Sequence, residues 1–454
     1  MRRKTENVLS FECNDKGLPK VVRDYRDRYR TISQVLDKNS EILDLVHQDL
    51  KKLSQSGAQG RNGDYTSENI LRALIVQHIE GLPFRDAVIR IGGDGFLQDF
   101  LRMRKKTVMD FTFLDKCFLA IQPETWKRVN ELLGHYAVAQ EAINPKVIRT
   151  DTTVVESNIH HPTDSSLLWD TWRVARRLLT RAREISRESV PHRFHNSKIK
   201  GLYLFITRYI VSKSKSRQKQ VQARFRTLIE RADWIVAIAA DFCRKYRSSS
   251  NPELSAVALE LQAYLPSMQT VAATARWANM EGETVPASER VFSLFEPHTE
   301  LIKRGRRQKP VEFGHKVLLC ETAEKFITDY EVYEKQQPDS DLTQPVIERH
   351  EKLFGERPKV LAADKGFCPE KSKFEELAKL VANLAIPRRM QDFMDKVLAS
   401  CQAFRAGIEG TISGLKRAFR WVRCFFRGFK GFARTVGLGV FCHNLIVLAD
   451  HESG

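Results

Sequence analysis

KVIRTDTTVVESNI, residues 146–159, reads as one short buried strand with an acid in its middle. Its Val, Ile and Thr residues suit a pleated, enclosed surface. Asp151 interrupts the run, and a charge inside a strand is costly unless it is paired or bound to a metal ion. The placement of Asp151 therefore asks for a chemical reason, and it makes the strand the first member of a sheet that carries a site.

Before this strand the pattern is helical. Residues 24–55 carry Ile32, Leu36, Ile42, Leu45 and Leu50 among charges, and ENILRALIVQHIEG follows the cap candidates Thr66 and Ser67 and stops at Gly81. PFRDAVIRIGG, DFTFLDKCFLAI and PETWKRVNELLGHYAVAQ continue it, with a basic knot at Arg102, Arg104, Lys105 and Lys106. Residues 1–140 are thus expected to form a helical N-terminal domain. It could bind DNA, pair two protomers, or simply carry a solvated basic loop.

After the strand, HPTDSSLLWDTWRVARRLLTRAREISRESV turns helical, and Arg- and Lys-rich helical patterns run to about residue 278. Strand character returns at PVEFGHKVLLC and KFITDYEVYE. The helix LTQPVIERHEKLFG, the strand KVLAADKGF, the helix KSKFEELAKLV, the strand NLAIPRR and a basic helical region from about Phe404 complete the order. Setting aside residues 170–310 leaves strand, strand, strand, helix, strand, helix, strand, helix. That order predicts an α/β fold with a mixed sheet and flanking helices. The excised piece is too long for a loop, so it is expected to be a helical, basic insertion between core segments 141–169 and 311–454.

The chain has 454 residues, 74 Lys and Arg against 56 Asp and Glu, and a formal charge of +18. Such an excess suits a polyanionic partner, because bases set against phosphates release condensed counterions. Eight cysteines are scattered with no CxxC pair, which predicts free thiols. MRRKTENVLS has charges with no apolar run behind it, so no secretory signal is expected. The late stretch LGVFCHNLIVLA is too short to span a bilayer, so no membrane is expected as a partner. There is no GxxxxGK[ST], which argues against ATP dependence.

Two further acids stand out. Asp364 ends KVLAAD where the chain must turn away from the sheet. Glu409 lies on a helix where Arg405, Glu409, Lys416 and Arg420 fall near one side, beside an apolar stripe of Ile408, Ile412, Leu415 and Phe419. Two strand carboxylates and one helix carboxylate brought together would form an all-oxygen site for a hard divalent cation. Two such ions can activate a water or a 3′ hydroxyl and stabilise the departing oxygen in phosphoryl transfer.

DTTVVESNIHHPTDSSLLWD, VLAADKGF and FRAGIEGTISGLKR resemble the conserved blocks of bacterial insertion-sequence transposases of the DDE type, which have a ribonuclease H-like catalytic core. The resemblance covers most of the chain, from ENILRALIVQHIEGLPFRDAV to the last helix. It implies that Asp151, Asp364 and Glu409 are the catalytic, metal-binding acids for Mg²⁺, with two ions in the active complex and Mn²⁺ able to substitute. It implies that Arg405 and Lys416 contact transposon-end DNA. Around the third acid such transposases carry a spaced tyrosine, arginine, glutamate and lysine; Arg405, Glu409 and Lys416 match, while Gln402 stands in the tyrosine position. It further implies DNA ends and target DNA as partners, a homodimer or higher assembly, and a cytoplasmic, nucleoid-associated location. A nuclease without strand transfer and a non-catalytic DNA-binding descendant are the alternatives.

Other signals have plainer readings. His160 and His161 are adjacent in an extended segment and point to opposite faces, which disfavours a shared zinc ion. His161, Thr163 and Asp164 could line the entrance near Asp151 or make local turn hydrogen bonds. Trp169 and Trp172 could stack on bases but are expected to pack a helix. Lys303, Arg304, Arg306, Arg307 and Lys309 form a run dense enough to expect DNA contact, with Arg420 added from the C-terminal helix. Glu296 and His298, just upstream, could reach the acids if the insertion folds back. Asn444 is expected to anchor the last helix.

Overall fold

The computed structural model describes residues 3–5, 15–55, 65–103, 107–303, 309–388 and 396–453. The chain divides into two compact units, residues 1–156 with 315–454, and residues 157–314. The fold is α/β, with fifteen α-helices and a mixed seven-stranded sheet among the described residues.

In the first unit, helices α1 (Lys20–Lys38), α2 (Ser40–Gln55), α3 (Ser67–Ile79), α4 (Phe84–Gly92), α5 (Gly95–Phe100), α6 (Phe111–Ala120) and α7 (Pro123–Ala139) precede strand β1 (Val147–Ser157). Thr66 caps α3 through a reciprocal pair of bonds with Asn69, which satisfies donors that a helix start leaves open. The basic knot is partly structural: Arg102 is paired with Glu68 and Asp37, each at 2.6 Å. Arg104, Lys105 and Lys106 lie outside the described residues.

The second unit holds α8 (Asp164–Ile185), α9 (Asn196–Tyr209), α10 (Lys215–Tyr246), α11 (Pro252–Arg276) and β2 (Glu300–Lys303). The helices close over their own core of Leu168, Trp172, Leu179, Ile229, Ile235 and Leu261. Strand β2, which no periodicity announces, pairs antiparallel with Val311–Gly314 at the start of β3 (Val311–Thr322).

The rest of the first unit follows as β4 (Ile327–Tyr333), α12 (Thr343–Phe354), β5 (Val360–Ala362), α13 (Lys371–Leu380), β6 (Asn383–Ala385), α14 (Lys396–Ala418), β7 (Arg423–Cys424) and α15 (Gly428–Ser453). The strand order there is β4-β3-β1-β5-β6, with β7 also on β1. β1 with β5 and β5 with β6 are parallel, and β3 with β4 is antiparallel. The pleat of β3 sends Val317 and Leu319 into one core with α1, α3, α7, α14 and α15, and Leu318 and Cys320 into another beneath α12 and α13. The helices before β1 therefore share one core with the sheet and with α15.

Two expectations need correction. Helix α14 ends at Ala418, so Arg420 is not on the Glu409 face; it sits beyond the helix with φ +58°. Residues 428–452 do reach the length and apolarity of a membrane span, since Phe429 and Phe432 extend the apolar run beyond LGVFCHNLIVLA. In the fold 72% of its most apolar window is buried. Asn444 bonds both the N–H and the C=O of Ile327 at 2.8 Å, fastening α15 to the first residue of β4.

Candidate active site

β1 and β5 are adjacent and parallel, so their carboxyl-terminal ends point the same way. Asp151 lies on β1 past the residues paired with β5, and Asp364 lies two residues beyond β5. The Asp364 carboxylate accepts from the N–H of Gly366 at 2.8 Å and so caps the short 3₁₀ turn Lys365–Phe367. Glu409 projects from α14 and is 63% exposed, whereas Asp151 is 16% exposed.

Arg405 joins two of these acids. Its guanidinium donates to Asp151 Oδ2 at 3.4 Å and to Glu409 Oε1 at 3.0 Å. Burial, with added repulsion from Asp364 and Glu409, pushes the Asp151 carboxyl up to about 6, against lowering by the Thr152 N–H and Arg405. The three acids thus lie in one electrostatic neighbourhood, and a cation already bridges two of them. Carboxylate oxygens suit a hard divalent ion, and between Asp151 and Glu409 they hold a guanidinium. Among the described residues, no three His, Cys, Asp or Glu side chains stand close enough to hold an ion as placed.

The register of α14 over the sheet is set by Arg149, which sequence reasoning did not single out, and by Gln402, which it noted only as a departure from a signature. Arg149, two positions before Asp151 and on the same face of β1, is buried; it donates to Phe404 O at 2.7 Å and pairs with Glu321 of β3. Its guanidinium lies over the Phe404 ring at 4.8 Å. Gln402 donates to Ala363 O and Ala385 O, both at 3.0 Å, tying α14 to the ends of β5 and β6 beside Asp364. The residue in the tyrosine position therefore does structural work of its own. A basic residue two positions before Asp151 in an otherwise apolar and Thr-rich strand was a visible signal for Arg149.

A further carboxylate lies at the edge of this group. Asp339 accepts from Lys316 at 2.8 Å and from Thr152 at 3.3 Å. Its other oxygen lies 3.7 Å from where a β-carbon on Gly366 would stand. Nothing in the PDSD loop separates Asp339 from an ordinary turn acid.

The remaining candidates divide. Lys416 is half-buried on α14, and Lys303 is exposed at the end of β2. Arg304, Arg306 and Arg307 lie outside the described residues. Within the second unit, His160 stands 3.6 Å from Asp170, while His161 meets Phe313 edge to face at 5.5 Å. Thr163 caps α8, and Asp164 is held by Arg290 at 3.1 Å and Asn279 at 2.8 Å, so these residues carry local bonds. Trp169 stacks on Tyr203 and Trp172 on Trp234, which are packing roles. Glu296 is buried, His298 is half-buried, and the two are bonded to each other at 2.7 Å.

Compared with known proteins, the chain matches no family model, no curated protein and no solved structure.

Proposed function

We propose that the chain is a DDE-type DNA transposase that cleaves DNA at mobile-element ends and joins the freed 3′ hydroxyl to target DNA. The observation that carries this reading is the Arg405 guanidinium held between Asp151 and Glu409, with Asp364 just beyond the neighbouring strand β5. It is supported by the sheet: in chain order the five core strands of the first unit run third, second, first, fourth, fifth, with parallel pairing through β5 and β6. That order suits a ribonuclease H-like core. The net charge of +18 suits a DNA partner.

In this reading Asp151, Asp364 and Glu409 hold Mg²⁺, or Mn²⁺ in its place, which when bound polarises phosphate oxygens and lowers the pKa of an attacking hydroxyl. Asp151 must be ionised to serve as a ligand, so its raised pKa would make these acids a poor ligand set below about pH 6. Arg405 neutralises the acids until phosphates arrive and then has a phosphate to bind in their stead. Gln402 and Arg149 keep α14 in register with the strands, so that Glu409 stays opposite Asp151.

The test is Mg²⁺-dependent nicking of the element's own terminal repeats, followed by joining of a precut 3′ end. Asp151→Asn, Asp364→Asn and Glu409→Gln should each abolish both steps and spare DNA binding. Full cleavage by any one of them would remove that residue from the metal set. Nicking without joining would favour a nuclease. The full bridging of Asp151 and Glu409 by Arg405 gives some support to a non-catalytic DNA-binding descendant, which would bind ends and cut none.

A further inference from the structure

Away from the acids, the first unit contains a cavity of about 420 Å³ lined by the α3–α4 turn, α6, the end of α14 and the β7–α15 segment. Its walls are aromatic. Phe84, Phe118 and Phe426 form one cluster with ring centroids 4.6–5.9 Å apart, and His78 stacks on Phe419 at 5.2 Å with the planes 16° apart. Burial drives the His78 pKa down to about 4, so this wall is a neutral ring at physiological pH.

The charge at this cavity has one sign. Among the described residues that line it, Arg420 and Arg423 are the ones with charged side chains. Arg423 is held by Glu156 at 3.1 Å. The side chain of Arg420 has no hydrogen bond or ion pair among the described residues and is exposed, while the residue's C=O accepts from the Arg423 N–H at 3.4 Å. Its backbone is left-handed, at φ +58°, a strained conformation for a non-glycine residue that recurs at ligand clamps. The turn that holds it is pressed against another: a β-carbon on Gly81 would meet Ala418 O at 2.8 Å. Phe425 also lines the cavity and is left 64% exposed.

We infer that this cavity binds a single unstacked nucleotide, its planar base among the aromatic rings and its phosphate on Arg420 and Arg423. The volume is in the range of small-molecule sites. Aromatic faces accept any base, and an unpaired guanidinium at the rim accepts the phosphate. A plain apolar ligand would leave the Arg420 guanidinium without a partner. The nucleotide can come from an extrahelical position in a DNA strand or from a free mononucleotide; only the first source rests on the function proposed above.

The experiment is done in EDTA, so that cleavage plays no part. Fluorescence anisotropy compares a duplex carrying one bulged adenosine with the same duplex carrying an abasic bulge, and calorimetry titrates dAMP into the full chain. Binding of the base-bearing bulge should exceed the abasic one by about tenfold. Phe425→Ala and Arg420→Ala, both exposed and compatible with folding, should erase that difference. If no duplex binds but dAMP titrates with the same dependence on Phe425 and Arg420, the pocket stands with a free nucleotide as its ligand and the DNA reading loses support. Equal affinity for both bulges with no dAMP heat overturns the proposal, as does a preference for the base that survives both substitutions.

Discussion

The guanidinium of Arg149 lies against the backbone of Gly407, in the space that a β-carbon there would occupy. This close approach lets one arginine on β1 bond the carbonyl of Phe404 and the carboxylate of Glu321 together. Gly407→Ala must push Arg149 aside, and such overpacking costs about 1–3 kcal/mol. Because Asp151 and Glu409 ride on the two elements that Arg149 joins, cleavage should fall far more than stability. A thermal melt run beside a cleavage assay checks this, and a variant with a lowered melting temperature but full cleavage would count against the positioning role. Arg149→Ala should be worse, at about 3–5 kcal/mol, because it leaves Glu321 buried without its partner.

Arg405 occupies the carboxylates that a divalent ion would use. Arg405→Ala should therefore tighten Mg²⁺ or Mn²⁺ binding severalfold while weakening DNA binding. Following the melting temperature against metal concentration reads the first effect, since a ligand that binds only the folded state stabilises it by mass action. An unchanged metal midpoint would show that the guanidinium and the ion do not compete.

Much of this arrangement could be read in the residues, and the failures have physical causes. The strand at KVIRTDTTVVESNI and the helix after Thr66 are both local: one rests on β-branched composition, the other on a capping box. The end of α14 was misread because the basic pattern continues past it; the chain turns at Arg420, where contact with the α3–α4 turn outweighs helix periodicity. β2 has four residues and exists only through its pairing with β3, so no window of sequence could announce it. Arg149, Gln402 and Asp339 owe their roles to partners 172, 39 and 187 residues away. Distances of that kind are a property of the fold.

Two buried histidines set an acid limit on stability. Burial lowers both His78 and His350 from the ordinary 6.5 to about 4, and the Nε2 atom of each has no hydrogen-bond partner among the described residues. A depressed folded-state pKa means that the unfolded chain takes up protons first. The stability associated with each neutral ring is therefore complete above pH 6.5 and is lost as pH falls toward 4. Together they should cost a few kcal/mol over that window, at about 1.4 kcal/mol per pKa unit. Urea titrations at pH 7.5 and pH 5 measure the loss. His350→Gln should flatten the dependence, and an equally steep variant would assign the acid sensitivity elsewhere.

Asn444 offers a test of how α15 is held. Its side chain gives and takes a hydrogen bond with the backbone of Ile327, fully buried, where the antiparallel partner of β3 begins. Asn444→Leu keeps the apolar volume and removes both bonds, leaving a buried N–H and a buried C=O without partners, each costing about 1–3 kcal/mol. A drop of a few kcal/mol in urea is therefore expected, larger than a typical surface substitution produces. The helix would still be buried through Phe441, Leu445 and Leu448, so the fold should persist with β4 loosened from it. Hydrogen exchange should then quicken at Ile327 and Thr328 ahead of the rest of the sheet. Uniform protection across β3 and β4 would mean that apolar packing alone fastens α15 to the sheet.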